Sequence, residues 1–128
     1  MNKILILGGS SDIGSELINH LIKTEKYLIH IHYNSNKPKI RNNNIKYIKI
    51  NLQNLTNLKK KIDSDYDIII NLVGYVKKIS FSKFKINDIF ESIKINSIAM
   101  FIAIDLSLKN MIKKKYGRII NTSSVGVK

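Results

Sequence analysis

The chain predicts an α/β domain, a doubly wound parallel sheet of five strands in the order 3-2-1-4-5 with helices on both faces. Two observations lead there. Short apolar runs alternate with stretches of helical periodicity, and a glycine turn follows directly on the first run. Ile4-Leu5-Ile6-Leu7 is unbroken and closed by Gly8-Gly9, as in a strand buried on both faces. Asp12 to Lys23 places Ile13, Leu17, Ile18, Leu21 and Ile22 along a helical stripe. Tyr27 to Tyr33 is the second strand, in which His30 and His32 alternate with Ile29 and Ile31 and share one side as polar or half-buried positions. Asn34 to Asn44 is a polar loop with the only proline, Pro38, and Lys46 to Ile50 is a short third strand. Leu55, Leu58 and Ile62 mark a short helix, and Asp67 to Asn71 is a buried fourth strand. A long helix is predicted from Ile86 to about Lys114, with Gly117 ending it, and Arg118 to Thr122 forms the fifth strand.

That long helix carries two apolar stripes. One runs through Ile86, Phe90, Ile93, Phe101, Ile104, Leu108 and Met111, the other through Ile95, Ile98, Ile102 and Leu106. One stripe covers the sheet and the second needs another partner.

Composition narrows the function. The 128 residues, 44% hydrophobic and 24% charged, fit one domain over residues 1–128 and argue against disorder. Zero cysteines leave no disulfide and no cysteine-built zinc site, which fits a reducing, cytoplasmic setting. The three histidines show no metal-ligand spacing with carboxylates, so no metal site is expected. No apolar run approaches the roughly 18 residues of a membrane span. The N-terminal apolar run is too short for a secretory leader. The net charge of +13 suggests nucleic acid at first sight, but 20 of the 22 basic residues are scattered Lys, beside 26 Ile and 15 Asn. All three excesses follow from A/T-rich codons, and Arg forks with interleaved aromatics are missing, so no nucleic-acid partner is expected.

In doubly wound sheets ligands sit at the carboxyl ends of the strands, near the switch point between the first and fourth. Gly8-Gly9-Ser10-Ser11-Asp12-Ile13-Gly14 lies there, between strand and helix. A dinucleotide pyrophosphate needs bare amides and a positive helix end. Gly8 permits the turn, Ser10 and Ser11 offer hydroxyls and amides, and Gly14 lets the helix pack close to the strand. An ordinary βα turn capped by Ser11 or Asp12 would leave the same letters.

From this loop onward the chain resembles the first half of a short-chain dehydrogenase/reductase, nearest to the 3-oxoacyl-[acyl carrier protein] reductases. The family's TGxxxGxG loop is matched at Gly8, Gly14 and the two serines, with Leu7 replacing Thr and Asp12 replacing the middle Gly. Asn71-Leu72-Val73-Gly74 resembles its NNAG segment, Asn51-Leu52 its adenine-capping Asp-Val pair, and Gly117 to Ser124 its GRIVNISS strand.

The resemblance implies a Rossmann-type domain that binds NAD(P), and hydride transfer to a keto group or from an alcohol. It implies catalytic roles for Ser124 and Asn96. Cofactor contacts are implied from Gly8, Ser10, Ser11, Asp12, Ile13 and Gly14, and from Tyr33, Asn34, Ser35 and Lys37. Asn51, Leu52, Asn71, Val73 and Gly74 complete the set. The loop after strand two lacks the acid that NAD-preferring members use, so NADP(H) is preferred and NAD(H) remains possible. A small carbonyl or alcohol substrate and a homo-oligomer are implied as well. The family's Tyr-x3-Lys pair lies on a helix downstream of the serine strand, and the one such string here, Tyr33 to Lys37, falls in a loop. The chain is therefore expected to be a C-terminally truncated, cofactor-binding half. A non-catalytic nucleotide-binding module or an inactive truncated product is the alternative.

Overall fold

The computed structural model describes residues 1–123. Five parallel strands form one sheet in the order β3-β2-β1-β4-β5, as predicted. They are β1 (Asn2–Leu7), β2 (Tyr27–Tyr33), β3 (Ile45–Lys49), β4 (Ile68–Asn71) and β5 (Arg118–Asn121). The helices are α1 (Asp12–Ile22), α2 (Leu55–Lys61), α3 (Ile86–Ile93) and α4 (Ala99–Lys114). A single 3₁₀ turn covers Phe81–Lys83.

Alternation along β1 builds two cores, one on each face of the sheet. Ile4 and Ile6 pack with Ile18 of α1 and with Ile29, Ile31, Ile68 and Ile70. Leu5 and Leu7 face the other way, toward Leu58 of α2 and Met100, Ala103 and Met111 of α4. Burial on both faces is why these strands read as continuous apolar runs.

The long helix differs from its predicted form in three respects. It is interrupted between α3 and α4 by a π turn, Lys94–Ile98, in which the Ala99 N–H donates to the Lys94 carbonyl five residues back. The buried face is neither predicted stripe as a whole: Ile86, Phe90, Phe101 and Leu108 are exposed, Ile95, Ile102, Ile104 and Leu106 are partly buried against the core, and Met100, Ala103, Ser107 and, from the first stripe, Met111 are fully buried. Small side chains at Ala103 and Ser107 let α4 approach closely. Gly117 does not end the helix either. Lys115 takes the left-handed conformation (φ 52°) and caps α4. Gly117 instead passes Met111 so closely that a Cβ there would lie 2.7 Å from Sδ.

The strand histidines are more buried than predicted, His30 at 8% and His32 at 3% exposure. His30 Nδ1 lies 2.8 Å from the Tyr66 hydroxyl, whose ring is wholly buried. Lys3 reaches over that ring to Asp63 and Asp65, 2.6 Å from each carboxylate. Among the described residues β5 is an outer strand of the sheet, with all four residues exposed. Among the described residues no helix is long and apolar enough to cross a membrane.

Candidate cofactor-binding site

The turn from β1 into α1 is built by its two outer glycines. Gly8 has φ 75°, a conformation L side chains rarely adopt, and a Cβ there would sit 3.0 Å from the Val73 amide. Gly14 lies in the first turn of α1, where a Cβ would be 2.7 Å from the Gly9 carbonyl oxygen. Ser11 is the N-cap. Its hydroxyl accepts from the Gly14 N–H at 3.1 Å and donates to the Gly8 carbonyl at 3.2 Å. The Ser15 N–H donates to the Ser11 carbonyl and the Gly9 N–H to the His32 carbonyl.

The amides of this loop therefore divide into two sets. Those of Gly8, Gly9, Ser11, Gly14 and Ser15 hold the turn together. Those of Ser10, Asp12 and Ile13 have no partner among the described residues, and the last two lie at the positive end of α1. Orphan amides at a helix mouth, above a glycine that admits no side chain, fit an anionic diphosphate. The Asp12 carboxylate is exposed beside them.

A cleft of about 380 Å³ runs from this turn across the carboxyl ends of the strands. Gly8, Ser10, Ser11, Asn34, Asn51 and Leu52 line it, with Val73 and Gly74 at its far side. Asp12 and Ile13 stand at the exposed start of α1, and Gly14 is buried beneath the turn. Tyr33, Ser35 and Lys37 do not line the cleft. The Lys37 ammonium lies over the Tyr47 ring, 4.9 Å from its centroid, and Tyr33 packs edge-on to the same ring. Burial pushes the Tyr47 phenol upward, and its hydroxyl donates to the Ile40 carbonyl.

A second cleft, about 450 Å³, opens between the end of β4, the π turn and the end of β5. Asn71 ties the strand ends together: its amide donates to Asn121 Oδ1 at 3.2 Å, while its Oδ1 accepts from the Val73 N–H. Thr122 closes the same corner through its hydroxyl and its N–H, both on the Asn71 carbonyl. Asn96 sits in the π turn and grips the Tyr75 backbone at both ends. It accepts from the Tyr75 N–H at 2.7 Å and donates to the Tyr75 carbonyl at 2.8 Å. A third bond, to the Ser92 hydroxyl, completes the amide's donors. Ser124 lies outside the described residues.

Sequence reasoning missed three polar residues that line the first cleft, His32, Gln53 and Tyr75, and Glu91, which bonds two of them. The Tyr75 hydroxyl donates to Glu91 Oε2 at 3.0 Å, and that carboxylate pushes the phenol's pKa upward. Gln53 donates to the other oxygen of Glu91, so one carboxylate joins the walls on either side of the cleft. Nothing in the local sequence marks these partners, which come from three separate segments.

A parallel sheet in this order, with a glycine turn and orphan amides at its switch point, defines a dinucleotide-binding type of domain. The chain matches the short chain dehydrogenase family over residues 2–128, and it belongs to that family. It is 36% identical over 128 residues to the 3-oxoacyl-[acyl-carrier-protein] reductase of Rickettsia typhi, with 94% of this chain and 53% of that protein covered. The Rickettsia bellii reductase of the same name is 34% identical, with 96% and 54% covered. The chain thus spans about half the length of the curated relatives it matches. Among solved structures, a short chain dehydrogenase from Leptospira borgpetersenii with bound NAD+ superimposes with a TM-score of 0.81 at 22% identity, covering 99% of this chain and 54% of that one. ElxO with NADP bound gives 0.77 at 21% identity, covering 97% and 56%. At these identities the superpositions speak to the fold.

Proposed function

We propose that the chain is the cofactor-binding half of an NADP(H)-dependent oxidoreductase acting on a small carbonyl or alcohol compound. The observation that carries this reading is the set of unpartnered amides at the mouth of α1, above the turn that Gly8 and Gly14 keep bare. When bound, the nicotinamide cofactor supplies the hydride chemistry. The chain's own residues hold and orient it. The Ser10, Asp12 and Ile13 amides take the diphosphate, Asn51 and Leu52 flank the adenine, and Val73 and Gly74 border the path toward the second cleft. Asn96 fixes Tyr75 and so shapes the floor between the two clefts. Ser124, by its match to the family's serine strand, orients the carbonyl oxygen.

NADP(H) is preferred because no acid stands at the end of β2. Asn34 enters the cleft and Lys37, with Ser35 beside it, is available to a 2′-phosphate, although its ammonium must leave the Tyr47 ring to reach one. A cytoplasmic, homo-oligomeric protein belongs to the same reading. Calorimetric titration with NADPH and NADH tests it: tighter binding of NADPH is expected. Equal affinities refute the reading of the Tyr33–Lys37 loop, and no binding of either refutes the site.

A further inference from the structure

His32 is joined to the phosphate turn by its ring as well as by its backbone. It lies in β2 opposite Ile48 of β3, at 3% exposure. The Gly8 N–H donates to its Nδ1 at 3.0 Å, and its Nε2 lies 2.9 Å from the Ile50 carbonyl oxygen. A peptide N–H only donates and a carbonyl only accepts, so Nδ1 is unprotonated and Nε2 carries the hydrogen. One neutral tautomer satisfies both contacts. A protonated ring turns the first into N–H against N–H.

The surroundings favour that neutral form. Burial pulls the imidazole's pKa below its usual value, only partly opposed by the Ile50 carbonyl. Gly8, just past the end of β1, and Ile50, just past the end of β3, meet the ring through their backbones, and Ile48 of β3 is its partner in the register. The cleft beside it is lined by Ser10, Ser11, Asn34, Asn51 and Gln53, with Tyr75 as the only other titratable side chain among the described lining residues. None of these offers a carboxylate or an ammonium to the ring.

We propose that His32 is a positioning residue of the phosphate turn, which in its neutral Nε2–H form holds Gly8 and thereby sets the orphan amides where a diphosphate meets them. The proposal rests on the dinucleotide reading above. Through Gly8 the ring also fixes the residue whose left-handed backbone starts the turn. A dinucleotide bound to the ordered turn selects the neutral ring, so its affinity falls as the ring gains a proton.

The test is NADP+ binding by calorimetry between about pH 8 and pH 5, on the wild type, His32→Asn and His32→Leu. Asn keeps an acceptor at the δ position and cannot be protonated, and Leu removes both contacts. The dinucleotide's own ionisation is common to all three. Wild-type Kd is expected to rise, relative to His32→Asn, by about tenfold per pH unit once the ring titrates. His32→Leu is expected to bind weakly throughout. In the free protein, nitrogen chemical shifts are expected to show the Nε2–H tautomer and a Gly8 amide that moves with the His32 titration. Parallel pH profiles in wild type and His32→Asn across the pH range in which the nitrogen shifts show His32 titrating overturn the proposal, as does an Nδ1–H tautomer. Absence of binding at every pH overturns the dinucleotide reading itself, a distinct result.

Discussion

Replacing Gly14 by alanine sets two known effects against each other. In an ordinary helix the change stabilises by about 0.8–1.0 kcal/mol, because glycine loses more backbone entropy. Here the added Cβ meets Gly9 oxygen at 2.7 Å and Gly9 Cα and carbonyl carbon at 2.8 Å. These are backbone atoms, so no rotamer change relieves the contact, and the turn must retreat by about 0.7 Å to reach ordinary separation. Overpacking of this kind costs typically about 1–3 kcal/mol. With contacts this short against backbone the clash outweighs the gain, and a net loss of up to about 2 kcal/mol lowers Tm by up to about 8 °C for a chain of this size. The retreat also carries the Asp12 and Ile13 amides away from the strand ends, so dinucleotide affinity falls by about tenfold or more. Thermal unfolding by circular dichroism and NADPH fluorescence titration read the two effects. Gly74→Ala is the stability control, since nothing lies within 4 Å of its added Cβ. A Gly14→Ala protein that melts at or above the wild type with unaltered affinity would refute this reading of the turn.

Asp12→Asn removes a carboxylate from the first turn of α1, losing about 0.3–1 kcal/mol of helix-dipole stabilisation. The same change is expected to tighten dinucleotide binding about threefold in calorimetry, and weaker binding counts against the placement of the diphosphate. Stability against pH should fall in two stages on acidification. His30 and His32 have folded pKa values depressed by burial, so their contribution is complete above about pH 6.5 and is lost as pH falls from there. Hydrogen bonding from Lys3 holds Asp63 below the usual carboxylate range; at Asp67 burial opposes, but Lys114 and the Lys3 N–H prevail. Their contribution persists to about pH 4 and is lost below it. Denaturant melts that show stability constant from pH 7 down to pH 3 contradict both stages. Asp67→Asn at neutral pH should cost about 1–2 kcal/mol in the same melts, because Lys114 is half exposed and can turn to water. The outer strand β5 exposes Ile119 and Ile120 at 43% and 48%, and self-association is expected in sedimentation, suppressed by Ile119→Lys with Ile120→Lys. A monodisperse wild-type monomer with a sharp thermal transition contradicts it.

The order of the sheet was legible because the central strands β1, β2 and β4 are buried on both faces and carry apolar blocks, while the helices between write a longer period. The packing face of α4 was not. Counting large apolar side chains favours Phe101, Ile104 and Leu108, whereas the residues against the sheet include Ala103 and Ser107, which contribute by being small. The π turn adds to the difficulty. It shifts the helical register at Lys94–Ile98, so a stripe followed from Ile86 at constant period does not continue along one face into α4. The bonds that Asn96 makes from within it, to Tyr75 and Ser92, are legible only in three dimensions.

The candidate site divides along a similar line, and Asp12 shows why. Three positions of the turn demand glycine, Gly8 through its φ of 75°, Gly9 because an added Cβ would lie 2.5 Å from the buried Ile31 Cγ2, and Gly14 through the nearness of Gly9. Position 12 demands nothing of the kind. It is the first residue of α1, exposed, with room for a side chain and a backbone any residue adopts. Its departure from the family pattern therefore leaves the turn's shape intact and changes only the charge beside the orphan amides. Glycines required by backbone geometry can be recognised in a sequence, because no other residue does their work. A contact such as His32 on the Gly8 amide carries no such mark, since one partner is a peptide N–H that nearly every residue possesses.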